Sequence, residues 1–163
     1  MERNGKQGDL MDTMDVHLPS IELFMSDHND AFSALSEQAQ IVRLYLDASM
    51  KPDPELAATF VDANVTITFT GGNVFDHPSG PTSFNKHRYS WVKKKLGRFD
   101  ECVTDEGIVV YSLGTLYGEW PDGEPFEGNR YIDRFLIKNG KIATMDVWND
   151  SAERLLIKNN LMV

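Results

Sequence analysis

The alternation of apolar and polar positions predicts helices in the first half of the chain and strands in the second. From Ser36 onward, apolar residues recur near the 3.6-residue period of a helix, and Ser36 itself is a suitable N-cap. Pro52 and Pro54 end this helix, and Asp53 between them is placed to cap a second, short helix over 55–60. The pattern therefore predicts two consecutive helices joined by a sharp turn.

The rest of the chain predicts one more helix and a series of strands. Val65–Phe69 alternates as a half-buried strand, and a third helix is expected over Thr82–Leu96. After that, the apolar residues follow the two-residue period of β-structure. Antiparallel strands are expected over 98–104, 108–120, 126–138 and 141–148, followed by a closing helix from about 151. Helices followed by an antiparallel meander are typical of an α+β fold.

Composition and charge exclude several classes of function. The chain has 25 acidic and 16 basic residues, a formal net charge of −9, which repels phosphate backbones, so no nucleic-acid partner is expected. No apolar run approaches the roughly 20 residues of a membrane span, and the first residues do not resemble a signal peptide. These features predict a cytoplasmic protein with no membrane partner.

Local motifs predict neither a metal nor a cofactor. The single cysteine, Cys102, excludes an intrachain disulfide and is expected to be buried in a strand. The one basic cluster, Lys93–Lys95, is interpreted as the solvated end of the third helix. No phosphate-binding loop, dinucleotide fingerprint, nucleophile elbow or zinc motif is present.

The chain is predicted to hold one domain with an N-terminal extension. Residues 1–32 mix Gly, Asp, Met and Asn without steady periodicity, which indicates a flexible segment. Residues 33–163 carry all of the predicted helices and strands. A domain of this length is large enough to enclose a small cavity within its core.

The most informative feature is a pair of aspartates across the last predicted hairpin. Asn139–Gly140 is a strong two-residue turn signal, and counting outward from it places Asp133 opposite Asp146. The same count places Tyr131 opposite Trp148, on the same face of the sheet. Two carboxylates this close cannot both ionise cheaply, so one keeps its proton or a cation lies between them. In a pocket, such a pair supplies a general acid and a general base.

The sequence leaves an alternative open for these two aspartates. A bulge would offset the register, and each carboxylate would then pair with Arg130, Arg134 or a lysine. If instead the acids share a cavity, the neighbouring strand leaves room for a ligand, because its small residues lie on one face. A turn near Asp122–Gly123 would place one of them, Ser112, beside Asp133.

The stretch from Asn129 to Ile142, followed by Asp146-Val-Trp-Asn149, resembles the C-terminal half of SnoaL-like proteins of the nuclear transport factor 2 (NTF2)-like superfamily. Ile41–Leu46 and Val65–Phe69 resemble the first helix and first strand of that family, so the resemblance spans roughly residues 36–158. The chain departs from the family in having aspartate at 133, where histidine is common. Its last strand is also one residue shorter before the acid.

The resemblance implies a fold, an assembly and a site. It implies a cone-shaped, curved antiparallel sheet packed with N-terminal helices around a pocket, that is, a cystatin-like α+β barrel, and usually a homodimer. It implies that Asp146 is the catalytic acid–base residue and that Asp133 is its partner. Substrate contacts are predicted from seven further residues: Tyr45, Trp148, Tyr131, Trp91, Asn149, His87 and Ser112.

Two functions remain open at this stage. The first is a cofactor-independent isomerase, cyclase or dehydratase that acts on a small, apolar, carbonyl-bearing metabolite by proton abstraction and return. The second is a non-catalytic ligand-binding or dimerisation module of the same fold, because a fold alone does not define a function.

Overall fold

The structure, a computed structural model, describes residues 35–161. The predicted flexible extension over 1–32 lies outside the described residues. The described domain is built from a six-stranded sheet and four helices, of which one lies between the second and third strands in chain order. In chain order the elements are α1 (Glu37–Met50), α2 (Pro54–Ala58), β1 (Val61–Phe69), β2 (Asn73–Phe75), α3 (Ser79–Asn85), β3 (Trp91–Thr104), β4 (Gly107–Glu119), β5 (Pro125–Lys138), β6 (Lys141–Asn149) and α4 (Ser151–Lys158).

The sheet is open and mixed, which confirms the α+β class and corrects one detail of it. The strand order is β2-β1-β6-β5-β4-β3, and β3 to β6 form the expected antiparallel meander. The expectation of antiparallel pairing holds for β3 to β6, whereas the earlier strand β1 runs parallel to β6. The meander leaves one side of β6 unpaired, and β1 fills that side in the same direction as β6.

The first helix forms where the sequence predicts it and covers the inner face of the sheet. The Ser36 hydroxyl accepts a hydrogen bond from the Ala39 amide at 3.1 Å, which satisfies one of the free amides of the first turn. The buried face of α1 includes Val42, Tyr45 and Leu46. Tyr45 meets Phe135 of β5 edge-to-face, with ring centroids 5.9 Å apart. This contact fixes the helix over the centre of the sheet.

The third helix is much shorter than predicted, and the basic cluster is not helical. The helix α3 ends at Asn85, and β3 begins at Trp91, so Lys93–Lys95 lies in a strand. Along this strand, Val92, Lys94 and Leu96 are partly buried while the residues between them are exposed. A lysine at an inward position breaks the apolar alternation that signals a strand, and this explains the error.

The last hairpin has the predicted turn but not the predicted register. Asn139 and Gly140 both have positive φ, at 50° and 69°, as a tight two-residue turn requires. Ile137 pairs with Ile142, whereas Leu136, the preceding residue of β5, pairs with Thr144. Ala143 is therefore an extra residue, a β-bulge, which exchanges the faces of all later residues of β6 relative to the prediction.

The bulge overturns the pairing of the two aspartates. Asp133 lies opposite Val147, and Asp146 lies opposite Arg134. Because alternate residues of a strand point to opposite faces, the two carboxylates are on different sides of the sheet. Asp133 is fully buried on the helix-covered face, whereas the side chain of Asp146 is 27% exposed. The prediction that they face each other is wrong, and the bulged alternative describes the sheet.

The single cysteine also differs from its prediction. Cys102 is exposed rather than buried. It lies on β3, the last strand of the sheet, which has a neighbour on one side only. An edge strand buries fewer of its side chains than a central one, and this accounts for the difference.

Candidate functional site

A cavity of about 310 Å³ lies among the described helices and strands. Residues of α1 and α3 line it together with residues of β3 and β6, so the elements from both ends of the sequence meet there. Most of its wall is apolar or aromatic, as in pockets that bind small organic molecules. Representative lining residues are Tyr45, Leu46, Met50, Phe69, Tyr89, Trp91, Val92, Leu116, Met145 and Val147.

The principal polar feature at the cavity is a buried ion pair. The Lys94 ammonium on β3 donates a hydrogen bond to Oδ2 of Asp133 on β5. The Lys94 side chain is 17% exposed and lines the cavity, whereas the Asp133 side chain is completely buried behind it. A ligand in the cavity therefore meets the lysine directly and the aspartate only through the lysine.

Only one of the two carboxylate oxygens of Asp133 has a hydrogen-bond partner among the described residues. Its Oδ1 has no hydrogen-bond partner among the described residues, although the atom is buried. Burial raises the pKa of Asp133 above its ordinary value, and the ammonium of Lys94 only partly opposes that rise. The pKa is raised because a buried carboxylate with a single partner is a more costly anion than one in water. This carboxyl is therefore suited to gain a proton when charge at the cavity changes.

Two of the predicted site residues, Tyr131 and Ser112, lie beside the Lys94–Asp133 ion pair. The Lys94 ammonium lies 3.8 Å from the centroid of the Tyr131 ring, a cation–π contact. The Tyr131 hydroxyl and the Ser112 hydroxyl are hydrogen-bonded at 3.0 Å, and both residues are buried. Ser112 lies opposite Asp133 in the register of β4 and β5, as predicted. These contacts restrict where the ammonium can lie.

Tyr45 is positioned to act as a hydrogen-bond donor in the cavity. It lines the cavity from α1 and is 2% exposed. Burial raises the pKa of Tyr45, the Ser49 hydroxyl lowers it, and the nearby negative charge of Asp133 raises it further. The phenol therefore stays protonated throughout the neutral range, and its O–H remains available as a donor.

Two more of the predicted contact residues line the cavity. Trp91 lines it while remaining 46% exposed, and its ring meets Tyr117 edge-to-face with centroids 5.9 Å apart. The bulge turns Asn149 toward the cavity, where its Oδ1 accepts a hydrogen bond from the Ser151 amide at 3.1 Å. That bond satisfies the amide of the first residue of α4, so Asn149 joins the cavity wall to the last helix.

Three predicted site residues lie away from the cavity. Asp146 forms an ion pair with Arg134 at 3.2 Å on the outer face of the sheet. Trp148 is 53% exposed on that same face, because the bulge at Ala143 exchanges the faces of the later residues of β6. His87 follows α3 and is exposed. None of the three is among the residues that line the cavity.

Sequence reasoning missed Lys94, the residue through which the cavity reaches Asp133. The available signal was the spacing of Val92, Lys94 and Leu96, which share one face of a strand. Within the assumed helix, the same lysine belonged to a solvated cluster and had no special position.

The charged residues on the cavity wall all carry one sign. Lys86, Lys93 and Lys94 line the cavity, and no aspartate or glutamate of the described residues does so. Over residues 35–161 there is no group of three or more His, Cys, Asp or Glu side chains that could hold a metal ion. No helix in that range is both long enough and apolar enough to cross a membrane.

Comparison with known proteins identifies the fold. The sequence matches no protein-family profile and no curated protein. An NTF2-like protein of unknown function from Burkholderia pseudomallei is 18% identical, with a TM-score of 0.62 over 74% of this chain and 96% of its own. TerC, crystallised with polyporic acid, is 16% identical, with a TM-score of 0.62 over 76% of this chain and 99% of its own. A protein from Jannaschia sp. CCS1, assigned provisionally as a SnoaL-like polyketide cyclase, is 12% identical, with a TM-score of 0.57 over 74% of this chain and 90% of its own.

The described domain therefore has the α+β fold of the NTF2-like superfamily, a helix-covered curved sheet with a cavity on its inner face. Its structural neighbours include NTF2-like proteins and a protein assigned provisionally as a SnoaL-like polyketide cyclase, which confirms the fold that the sequence resemblance implies.

Proposed function

We propose that the cavity binds a small, largely apolar, carbonyl-bearing metabolite and that the Lys94–Asp133 pair catalyses its isomerisation, cyclisation or dehydration without a cofactor. The observation that carries this proposal is the ion pair itself. One partner lines an apolar cavity, and the other is a fully buried carboxylate. Paired titratable groups in unlike environments are a recurrent basis of acid–base catalysis.

The chemistry requires two proton transfers to form the enolate. Lys94 gives a proton to Asp133, whose raised pKa favours acceptance, and the resulting amine takes a proton from the carbon next to the substrate carbonyl. The C–H electron pair becomes an enolate, which the new ammonium and the Tyr45 hydroxyl stabilise by hydrogen bonds. Return of a proton from the Lys94 ammonium to another carbon completes an isomerisation, and transfer of the Asp133 proton back to the Lys94 amine restores the original ion pair.

Asp133 thus keeps the role predicted for it, but with a different partner. Lys94 replaces Asp146, because the structure places Lys94 on the cavity wall and Asp146 on the outer face. Trp91 and Asn149 remain proposed substrate contacts from the wall.

A binding module is the second candidate, and one observation favours it. Asp133 does not itself line the cavity, so a ligand could be held by Lys94 with no proton transfer. The structural neighbour crystallised with polyporic acid supports small-molecule binding by this fold and is neutral between the two candidates.

A homodimer also belongs to the proposal. The outer face of the sheet carries Trp148 beside Ile132, with Leu113 next in the same row. The 53% exposure of Trp148 supports a second copy covering this face.

Proton exchange tests the proposed chemistry without knowledge of the substrate. 2-Acetylnaphthalene is a neutral apolar ketone, and NMR in D₂O measures exchange of its methyl protons with solvent. We expect the wild-type protein to accelerate this exchange and Lys94→Met and Asp133→Asn each to reduce the acceleration at least tenfold.

Asp146→Asn is the matched comparison, since it makes the same chemical change on the other face of the sheet. It should retain the exchange activity. If tryptophan fluorescence shows that the ketone binds but NMR detects no exchange, the binding module is favoured instead. Loss of exchange in Asp146→Asn but not in Asp133→Asn would contradict the proposal.

A further inference from the structure

The charge of the cavity wall differs from that of the chain as a whole. The chain has a net charge of −9, yet among the described residues the charged ones that line the cavity are Lys86, Lys93 and Lys94. Lys86 and Lys93 are exposed, and Lys94 is partly buried. A cavity whose described charged residues are all lysines attracts anions, whereas the net negative charge of the protein repels them elsewhere on its surface.

The groups that face Asp133 determine how the site responds to an anion. Lys94 faces it from β3, Ser112 from β4, Tyr131 from its own strand and Tyr45 from α1. Val147, its partner on β6, is apolar. The pKa values of both tyrosines are raised by burial, so both are neutral. Lys94 is therefore the charged partner of Asp133 among the described residues.

We infer that the cavity selects an acidic ligand, an ionised carboxylate or enol on an apolar body, and that binding its anion to Lys94 is accompanied by uptake of one proton at Asp133. This inference rests on the proposed function and gives its ligand class. The free pair is neutral, so an added anion would leave two negative charges around one ammonium in a buried site. Protonation of Asp133 removes that excess, and its unpartnered Oδ1 is available to carry the proton.

The same charge state arises during the proposed reaction. After the neutral ketone has lost a proton from carbon, the site holds an enolate, the Lys94 ammonium and a protonated Asp133. A stable anion that binds with proton uptake therefore resembles the intermediate, and a site that stabilises the intermediate binds such an anion more tightly than the neutral ketone.

Proton uptake makes the affinity depend on pH in a defined direction. Where free Asp133 is ionised and bound Asp133 is protonated, the affinity for an anion falls by about tenfold for each unit of rising pH. A neutral ligand leaves the pair intact, so its affinity is independent of pH over the same range.

Two probes of the same shape test the inference. 2-Naphthoate is ionised above pH 6, because carboxyl pKa values are near 4, and 2-acetylnaphthalene is its neutral counterpart. Titration calorimetry at pH 7 in phosphate and in Tris gives the number of protons taken up. We expect naphthoate to bind at least tenfold more tightly than the ketone, with close to one proton taken up, and the ketone to bind with none.

Variants then locate the proton. Asp133→Asn should bind naphthoate with no proton uptake and with no pH dependence between pH 6 and 8. Lys94→Met should lose the preference for the anion, and Asp146→Asn should behave as the wild type. The wild-type measurement in two buffers does not depend on any variant folding correctly.

The binding measurements test this inference, and the exchange assay tests the proposed function. Naphthoate binding without proton uptake, or equal binding of both probes, overturns the inference, while the exchange assay decides the proposed function independently. Retained uptake in Asp133→Asn would place the proton elsewhere and would also overturn it. Failure of both probes to bind would contradict the inference and the proposed function together.

Discussion

Replacing Lys94 by Met removes the charged partner of Asp133 with little change in side-chain volume. The variant leaves a completely buried carboxyl without its ammonium. Removing one partner of a buried ion pair typically costs about 3–5 kcal/mol, because the remaining charge keeps its desolvation penalty. We expect Lys94→Met to lower the free energy of unfolding accordingly.

The pKa of Asp133 limits this loss and gives it a pH dependence. By binding a proton, the buried carboxyl avoids the desolvation penalty of its charged form. For a carboxyl with a reference pKa near 3.9, this protonation costs about 4 kcal/mol at pH 7 and about 1.5 kcal/mol at pH 5. The folded-state pKa of Asp133 is already raised in the wild type. Stability from this group is therefore present at low pH and is lost as pH rises from the unfolded pKa to the folded pKa. Loss of Lys94 raises the folded pKa further, so the decline continues to higher pH.

Urea unfolding at pH 5, 6, 7 and 8 measures both effects. With rising pH, the free energy of unfolding of the wild type should stop falling at a lower pH than that of the variant. The variant should lose up to about 1.4 kcal/mol of this free energy per pH unit. Arg134→Met is the matched control on the same sheet, because it breaks a pair in which each side chain is 27% exposed. That control should cost no more than about 1 kcal/mol, with little dependence on pH. Equal losses in the two variants, or a Lys94→Met loss that is the same at pH 5 and pH 8, would refute the reasoning.

Two further predictions concern the sheet. Gly114→Ala should lower the free energy of unfolding by about 1–3 kcal/mol, because the new Cβ would meet the Lys95 carbonyl oxygen and would lie 2.9 Å from the Tyr131 ring. Urea unfolding measures this loss, and a loss below about 0.5 kcal/mol would show that the strands separate easily. Trp148→Glu should convert a homodimer into a monomer, because it places a charge on the exposed part of the outer face. Light scattering during size-exclusion chromatography measures the mass, and a monomeric wild type would contradict the predicted assembly.

The sequence alone determined the elements whose signals are local. The α1 helix begins after Ser36 because its cap and its apolar period are both written in consecutive residues. The Asn139–Gly140 turn forms because few other residue pairs adopt its positive φ values so readily. The long alternating segments gave the antiparallel meander, and with it the fold class. The placement of Ser112 beside Asp133 followed from the turn expected near Asp122–Gly123.

The tertiary structure alone decided which side chains meet. One extra residue, Ala143, exchanges the faces of β6, and no property of an alanine announces a bulge. Packing against α1 and the other strands selects the register that buries Val147 and leaves Trp148 outside. Lys94 likewise breaks the local strand pattern, and its inward position is stabilised by Asp133, which is 39 residues away in the sequence. Long-range contacts of this kind lie beyond any local pattern, and the candidate site depends on them.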